Sequence, residues 1–87
     1  MQTDVLISFI IPAYNAADTI EKAVQSLTDV PRTEVLIVEN GSTDETKQVL
    51  QRLKKKYSNI KIFTSDKGVS NARNLGIQNA TGEWLAF

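Results

Sequence analysis

The stretch EVLIVENGSTDET, residues 34–46, sets the pattern for the whole chain. Val35-Leu36-Ile37-Val38 is a short apolar run that leads straight into the polar turn Glu39-Asn40-Gly41-Ser42. Ser42 and Glu45 have the capping-box spacing of a helix start. A strand that ends in a carboxylate, an amide and a glycine and then opens a helix is a ligand-holding geometry. Open α/β sheets bind in the crevice outside the carboxyl ends of their parallel strands.

On either side the same alternation continues. Residues 5–11 (VLISFII) form a nearly unbroken apolar, β-branched run, as expected of a parallel strand covered on both faces. Pro12 has no N–H to give and should end that ladder. Asp18 and Glu21 again have the capping-box spacing, and Ile20, Ala23, Val24 and Leu27 make one apolar helical stripe. Val49, Leu50, Leu53 and Tyr57 mark the inward face of a second helix, with Lys54-Lys55-Lys56 in its last turn, where cations complement the helix dipole. Residues 60–64 (IKIFT) alternate and suit an edge strand. Residues 69–80 read as a third helix with a small-residue stripe, Ala72, Gly76 and Ala80, for close packing on a sheet. Trp84 to Phe87 begin a fourth strand, expected to be buried. The order β-α-β-α-β-α-β with short loops predicts an α/β fold, an open parallel sheet with helices on both faces and right-handed crossovers.

Composition narrows the chemistry. The 87 residues make one small domain at most, 41% apolar and 23% charged. Lys plus Arg equals Asp plus Glu at ten each, so no bulk field favours nucleic acid or an anionic membrane. With no Cys and no His, disulfides, thiolate metal sites and imidazole catalysis are excluded within these residues. The first apolar run lacks a basic flank and is broken by Pro12, so it is neither a signal peptide nor a membrane span. The last residues read as the middle of a core strand, whereas domains usually end loosely at the surface. The expectation is therefore a piece truncated after Phe87, with an unpaired apolar edge (Trp84, Leu85, Phe87) prone to self-association.

Three loops should gather at the carboxyl ends of the strands: Pro12-Ala13-Tyr14-Asn15, Glu39-Asn40-Gly41-Ser42, and Ser65-Asp66-Lys67-Gly68 leading into Asn71, Arg73 and Asn74. They offer an aromatic face, a carboxylate, an amide and cations, a set suited to a nucleotide. Each residue also has an architectural reading. Tyr14 can cover the core, Glu39 and Asn40 can build the turn, Ser42 and Asp44 can cap a helix, and Arg73 can sit in a surface ion pair. No G-x-G-x-x-G follows the first strand and no G-x-x-x-x-G-K-[ST] occurs, which removes dinucleotide oxidoreductases and P-loop NTPases. A phospho-receiver domain would want paired carboxylates where Ile11-Pro12 stands.

Four blocks carry a resemblance. Ser8 to Asn15 (SFIIPAYN) resembles the opening strand and loop of the family 2 glycosyltransferases of the GT-A fold. Residues 34–46 resemble that family's second strand, which usually ends in two aspartates before Gly-Ser-Thr-Asp. Gly68 to Ile77 (GVSNARNLGI) resembles its third block. Ala80 to Phe87 (ATGEWLAF) resembles the strand leading to its metal-binding aspartates.

The resemblance implies a Rossmann-like sheet of order 3-2-1-4 and residues 1–87 as the nucleotide-sugar-binding part of a larger domain. The parent would be an inverting, hexosyl-transfer enzyme of cell-surface polysaccharide biosynthesis. It would use a nucleotide-diphosphate sugar, UDP-sugar first, and an acceptor sugar or lipid-linked glycan, in the cytoplasm or at the cytoplasmic face of the membrane. Pro12, Ala13 and Tyr14 would line the nucleoside pocket, with Glu39 at the ribose or base and Asn40 at the base edge. Gly68 and Arg73 would lie beside the nucleotide. Glu39-Asn40 departs from the family's Asp-Asp and leaves one carboxylate, which puts the choice of base in question. A divalent metal, Mg or Mn, would be held by residues after Phe87, and so would the catalytic base, leaving the isolated chain inactive. The competing readings are a non-catalytic nucleotide-binding or structural fragment, and a sugar nucleotidyltransferase, for which Pro12-Ala13-Tyr14-Asn15 lacks the glycine-rich phosphate loop.

Overall fold

A computed structural model describes residues 5–65 and 68–87. The turn residues Asp66 and Lys67 lie outside the described residues, as do the side chains of Val69 and Ser70. The elements are β1 (Ile7–Ala13), α1 (Ile20–Thr28), β2 (Thr33–Glu39), α2 (Thr46–Lys56), β3 (Ile60–Thr64), α3 (Val69–Asn79) and β4 (Trp84–Ala86). The four strands pair in parallel in the order β3-β2-β1-β4. This is the sheet that the alternation and the resemblance led us to expect.

β2 is the centre because both of its faces are apolar and covered, and all seven of its residues are buried. Val35 and Ile37 join Ala13, Ile20, Val24, Val49, Leu50 and Leu53 in the core beneath α1 and α2. Ile10 and Leu36, paired across β1 and β2, belong to the opposite face, which α3 covers. There Ala72 is fully buried, and a Cβ on Gly76 would strike the Ile10 side chain, so the small-residue stripe does bring helix and sheet together. Ala80 falls just beyond the helix.

Several local expectations are corrected. Pro12 does not end β1: Pro12 and Ala13 pair with Val38 and Glu39. Odd-numbered β1 residues turn their backbone toward β2, as the bond from Asn40 N–H to Ala13 O shows. Pro12 therefore faces the β4 side, where pairing covers only Ile7 to Phe9, and its missing donor costs no ladder bond. Neither capping box forms. Thr19 and Glu45 occupy the N-cap positions without side-chain caps. Glu21 reaches across to α2 instead, 2.8 Å from Arg52 and 3.9 Å from Lys56. Ala23 is exposed rather than part of the buried stripe. The fourth strand is not buried either. Trp84 is 67% and Leu85 42% exposed, because α3 lies over β1 and β2 and β4 sits at the sheet edge.

What fastens β4 to the sheet is a buried carboxylate. Glu34, 2% exposed, accepts the Ser8 hydroxyl at 2.5 Å, Thr81 N–H at 2.7 Å and the Thr81 hydroxyl at 3.0 Å. The Lys61 ammonium stands 2.8 Å from its other oxygen, and Gly82 N–H donates to Ser8 Oγ at 2.8 Å. Burial alone would push the Glu34 carboxyl up, but Lys61 and the Ser8 and Thr81 donors outweigh it and hold it at about 2.

A folded-state value below the ordinary 4.5 means that this stabilisation is fully present above about pH 4.5 and is lost as pH falls toward 2. Lys61→Met should therefore move the acid-unfolding midpoint to higher pH, and Glu34→Gln should flatten the acid limb. An unchanged midpoint in Lys61→Met would refute the coupling. A Cβ on Gly82 would lie 2.7 Å from Ser8 Oγ, 2.8 Å from Ser8 N and 2.9 Å from Ile7 C. Because backbone atoms cannot rotate away, Gly82→Ala should cost about 3 kcal/mol in urea unfolding, at the upper end of overpacking effects.

Candidate functional site

In the order β3-β2-β1-β4 the chain winds outward from β1 through β2 to β3 and then returns to the far side of β1. The strand order reverses at β1, so the crevice outside the carboxyl ends of β1 and its neighbours is the binding position this topology offers. The loops after β1 and β2 meet there and are bonded to each other. Asn15 has φ 48, a left-handed conformation that asparagine tolerates. Its Oδ1 accepts Thr43 N–H at 2.8 Å and Asp44 N–H at 3.3 Å. Its own N–H donates to Ser42 Oγ at 3.0 Å, and Ala16 N–H donates to Thr46 Oγ1 at 2.8 Å. The Thr46 hydroxyl in turn donates to Asp44 Oδ1, which also accepts Thr46 N–H at 2.9 Å.

Within this frame the expected residues take distinct places. Ala13 is 1% exposed and pairs with Glu39, and Asn40 N–H bonds Ala13 O at 2.9 Å, so Ala13, Glu39 and Asn40 are brought together. Pro12 pairs with Val38 just below them. Tyr14 follows with half of its surface open (49%) at the rim of the crevice. Glu39 is 2% exposed, and its carboxylate is held by its own turn, accepting Ser42 N–H and Gly41 N–H. Burial raises its carboxyl and these donors lower it, with a net shift downward. Gly41 has φ 82, the left-handed conformation that lets the turn fold back on Glu39. Asn40 is 6% exposed, and its Oδ1 accepts the Ser65 hydroxyl at 3.4 Å.

Gly68 caps α3 with φ 127, and an added Cβ would meet the Asn71 amide at 3.4 Å. Arg73, exposed on α3, holds its guanidinium carbon 5.9 Å from the centre of the Phe87 ring, beside the carboxyl end of β4. An open groove of ≈ 440 Å³ lies between β3 and α3, lined by Thr64, Ser65, Asn71, Asn74, Leu75 and Gln78. The sequence did not reveal the roles of Asn15 and Thr46. Their only signal was an Asn closing the first loop and a Thr opening α2, and each bonds to a loop some thirty residues away in the chain (30 for Ala16 and Thr46).

Among the described residues no group of three or more His, Cys, Asp or Glu could hold a metal ion. The carboxylates nearest the sheet are already committed: Glu34 to Lys61, Glu39 to its turn and Asp44 to Thr46. These three carboxylates do not fit a divalent cation.

The sequence profile described as Glycosyl transferase family 2 matches residues 8–87. The glycosyltransferase AglE of Haloferax volcanii is 40% identical over an 87-residue alignment covering 93% of this chain and 29% of AglE. The crystal structure of S. aureus TarS 1–349 superposes with a TM-score of 0.81 at 31% identity, over 93% of this chain and 26% of that one. Its complex with UDP superposes at 0.79 and 30% identity. The mannosyltransferase PcManGT from Pyrobaculum calidifontis, in complex with GDP-Man and Mn²⁺, superposes at 0.73 and 28% identity, over 88% of this chain and 25% of that one. The chain thus spans between a quarter and a third of the length of these relatives.

The cross-loop bonds give a direct test. Asn15→Ala leaves Thr43 N–H and Asp44 N–H without their acceptor, as in the loss of a helix cap, and should cost about 1 kcal/mol in thermal unfolding. A variant as stable as the parent would show that the two loops do not depend on this side chain.

Proposed function

The chain belongs to glycosyl transferase family 2, and on that premise we propose that it supplies the nucleoside-binding half of an inverting glycosyltransferase. The parent enzyme would move a sugar from a nucleotide-diphosphate sugar to an acceptor hydroxyl. The observation that supports this reading is the fused pair of loops at the carboxyl ends of β1 and β2, the strand ends that Tyr14 and Asn40 directly follow. A preformed crevice with an aromatic face and a few oriented polar groups suits a nucleoside. The relatives captured with UDP and with GDP-Man share this sheet.

In this reading Pro12 and Ala13 form the floor, Tyr14 lies against the base, and Asn40 meets the base edge. Glu39 acts through the turn it holds rather than on the ligand. Gly68 and Arg73 border the nucleotide on the α3 side, where the Arg73 guanidinium supplies a cation for the diphosphate. An inverting transfer needs a base to take the proton of the acceptor hydroxyl as that oxygen attacks the anomeric carbon and the nucleoside diphosphate departs. We assign that base, and the divalent metal expected of the whole enzyme, to residues outside this chain, because Glu39 and Asp44 in the turn after β2 are committed to backbone and side-chain donors and the described residues hold no metal cluster. The acceptor class, a sugar or a lipid-linked glycan, is part of the same proposal.

Titration of the full-length protein tests this directly. UDP should bind, and Tyr14→Ala should weaken it roughly tenfold, as loss of base–aromatic stacking does. The 87 residues alone should show no sugar transfer. Transfer by the isolated chain, or UDP binding indifferent to Tyr14, would overturn the corresponding part of the assignment.

A further inference from the structure

Asn40-Gly41 joins two residue types whose peptide link is open to attack by its own chain. The side-chain carbonyl of an asparagine lies within reach of the next residue's backbone nitrogen, and a glycine has no side chain to hinder that nitrogen. When the Gly41 nitrogen bonds to the Asn40 side-chain carbonyl carbon, it gives up its proton and the amide group leaves as ammonia. Water then opens the imide ring at either carbonyl, so one water is consumed for each ammonia released. The product is aspartate, or isoaspartate with one extra carbon in the main chain.

The turn opposes that ring closure. Asn40 N–H donates to Ala13 O at 2.9 Å, which ties the residue to the end of β1. Gly41 N–H donates to Glu39 Oε2 at 3.2 Å, and Ser42 N–H donates to Glu39 Oε1. An imide nitrogen carries no proton, so closing the ring would destroy the Gly41 bond. It would leave a carboxylate that is 2% exposed one donor short, which is costly. Asn40 itself is 6% exposed, which keeps the water of the second step away. Burial pushes the Glu39 carboxyl up, the Ser42 and Gly41 donors and the Lys47 charge pull it further down, and the net shift is downward. A carboxylate held in its charged form is a poor acceptor for an amide proton, so Glu39 restrains the Gly41 nitrogen rather than activating it.

We propose that Asn40-Gly41 is a latent self-modification site guarded by Glu39, which holds the Gly41 N–H so that Asn40 converts to aspartate or isoaspartate only when the turn opens. This role needs no ligand and goes beyond the nucleotide-sugar reading. An isoaspartate would lengthen the chain within the turn and pull Ser42 N–H from Glu39, so the guard preserves the loop that meets β1.

Incubating the full-length protein in mildly alkaline buffer, followed by peptide mapping with mass spectrometry and isoaspartate detection, tests this. Asn40 should convert at least about a hundredfold more slowly in the folded parent than in the urea-unfolded protein. The Gly41 N–H of the parent should show hydrogen-exchange protection of the same size, because both processes need the same opening. Glu39→Gln, close in shape but without the charge, should speed conversion by about tenfold. Asn15→Ala, which loosens the adjoining loop and leaves Glu39 with its donors, should speed it by a smaller factor. Conversion as fast in the folded parent as in the unfolded protein, an unprotected Gly41 N–H, or a Glu39→Gln variant that converts no faster overturns the guard. So does an Asn15→Ala variant as fast as Glu39→Gln, which would assign the protection to the loop as a whole. The exchange measurement needs no substitution and decides the matter if Glu39→Gln fails to fold.

Discussion

The fold depends on one buried ion. Glu34 lies at 2% exposure between the sheet and the segment that follows α3, and removing a carboxylate from water is expensive unless every lone pair finds a donor. Here the donors come from three directions. Ser8 belongs to β1, Lys61 to β3, and Thr81 to the connection that leads into β4. A carboxylate partnered in this way is satisfied only when all three neighbours are in place at once. The short strand β4 has exposed side chains and one paired edge, so apolar burial does little to hold it, and the polar node fixes its position on β1.

The two ends of the sheet consequently do different work. Near the amino ends of the strands, on the α3 face, the polar groups are locked into architecture by Glu34. At the carboxyl ends, the first two loops are stitched by Asn15, Ser42 and Thr46. This second network orders backbone that would otherwise be free to move, and a crevice ordered before its ligand arrives spends less of the binding energy on ordering. The rigidity comes from side-chain oxygens bonded to backbone amides of another loop, an arrangement that leaves the Tyr14 ring at the rim.

The strands and helices were legible in the sequence because their signals are long and redundant. β2 is a block of apolar residues bounded by a turn, and α2 repeats its stripe at Val49, Leu50 and Leu53, each of which is buried. The turns that follow β1 and β2 were legible from their Asn and Asn-Gly signals, although Pro12, Ala13 and Glu39 prove to be the last residues of the strands. What failed were the short signals. Two capping boxes looked sound, yet Ser42 is used by Asn15 and Glu21 by Arg52, because a partner brought close by the fold competes with one close in the chain. Glu34 drew no attention, since a charged residue just before an apolar run looks like a strand boundary. Its partners are 26 and 47 residues away in the chain, and no local pattern encodes them. The expectation of a buried β4 failed because an apolar sequence reports what a strand could cover, and not whether a helix lies over it.

The pair Glu39-Asn40 gains a physical reason from its surroundings. The longer glutamate side chain can curl back to the amides of Gly41 and Ser42, so the turn is stabilised by an anion that is almost wholly buried. A second carboxylate at position 40, itself 6% exposed, would sit beside that anion in a poorly solvated place, and one of the two would be driven toward its neutral form. An amide avoids the repulsion and adds no further negative charge beside Glu39. The substitution of Asn for a second acid therefore follows from using the first acid as a structural element. With one carboxylate spent on the turn, the neighbouring position carries a neutral side chain.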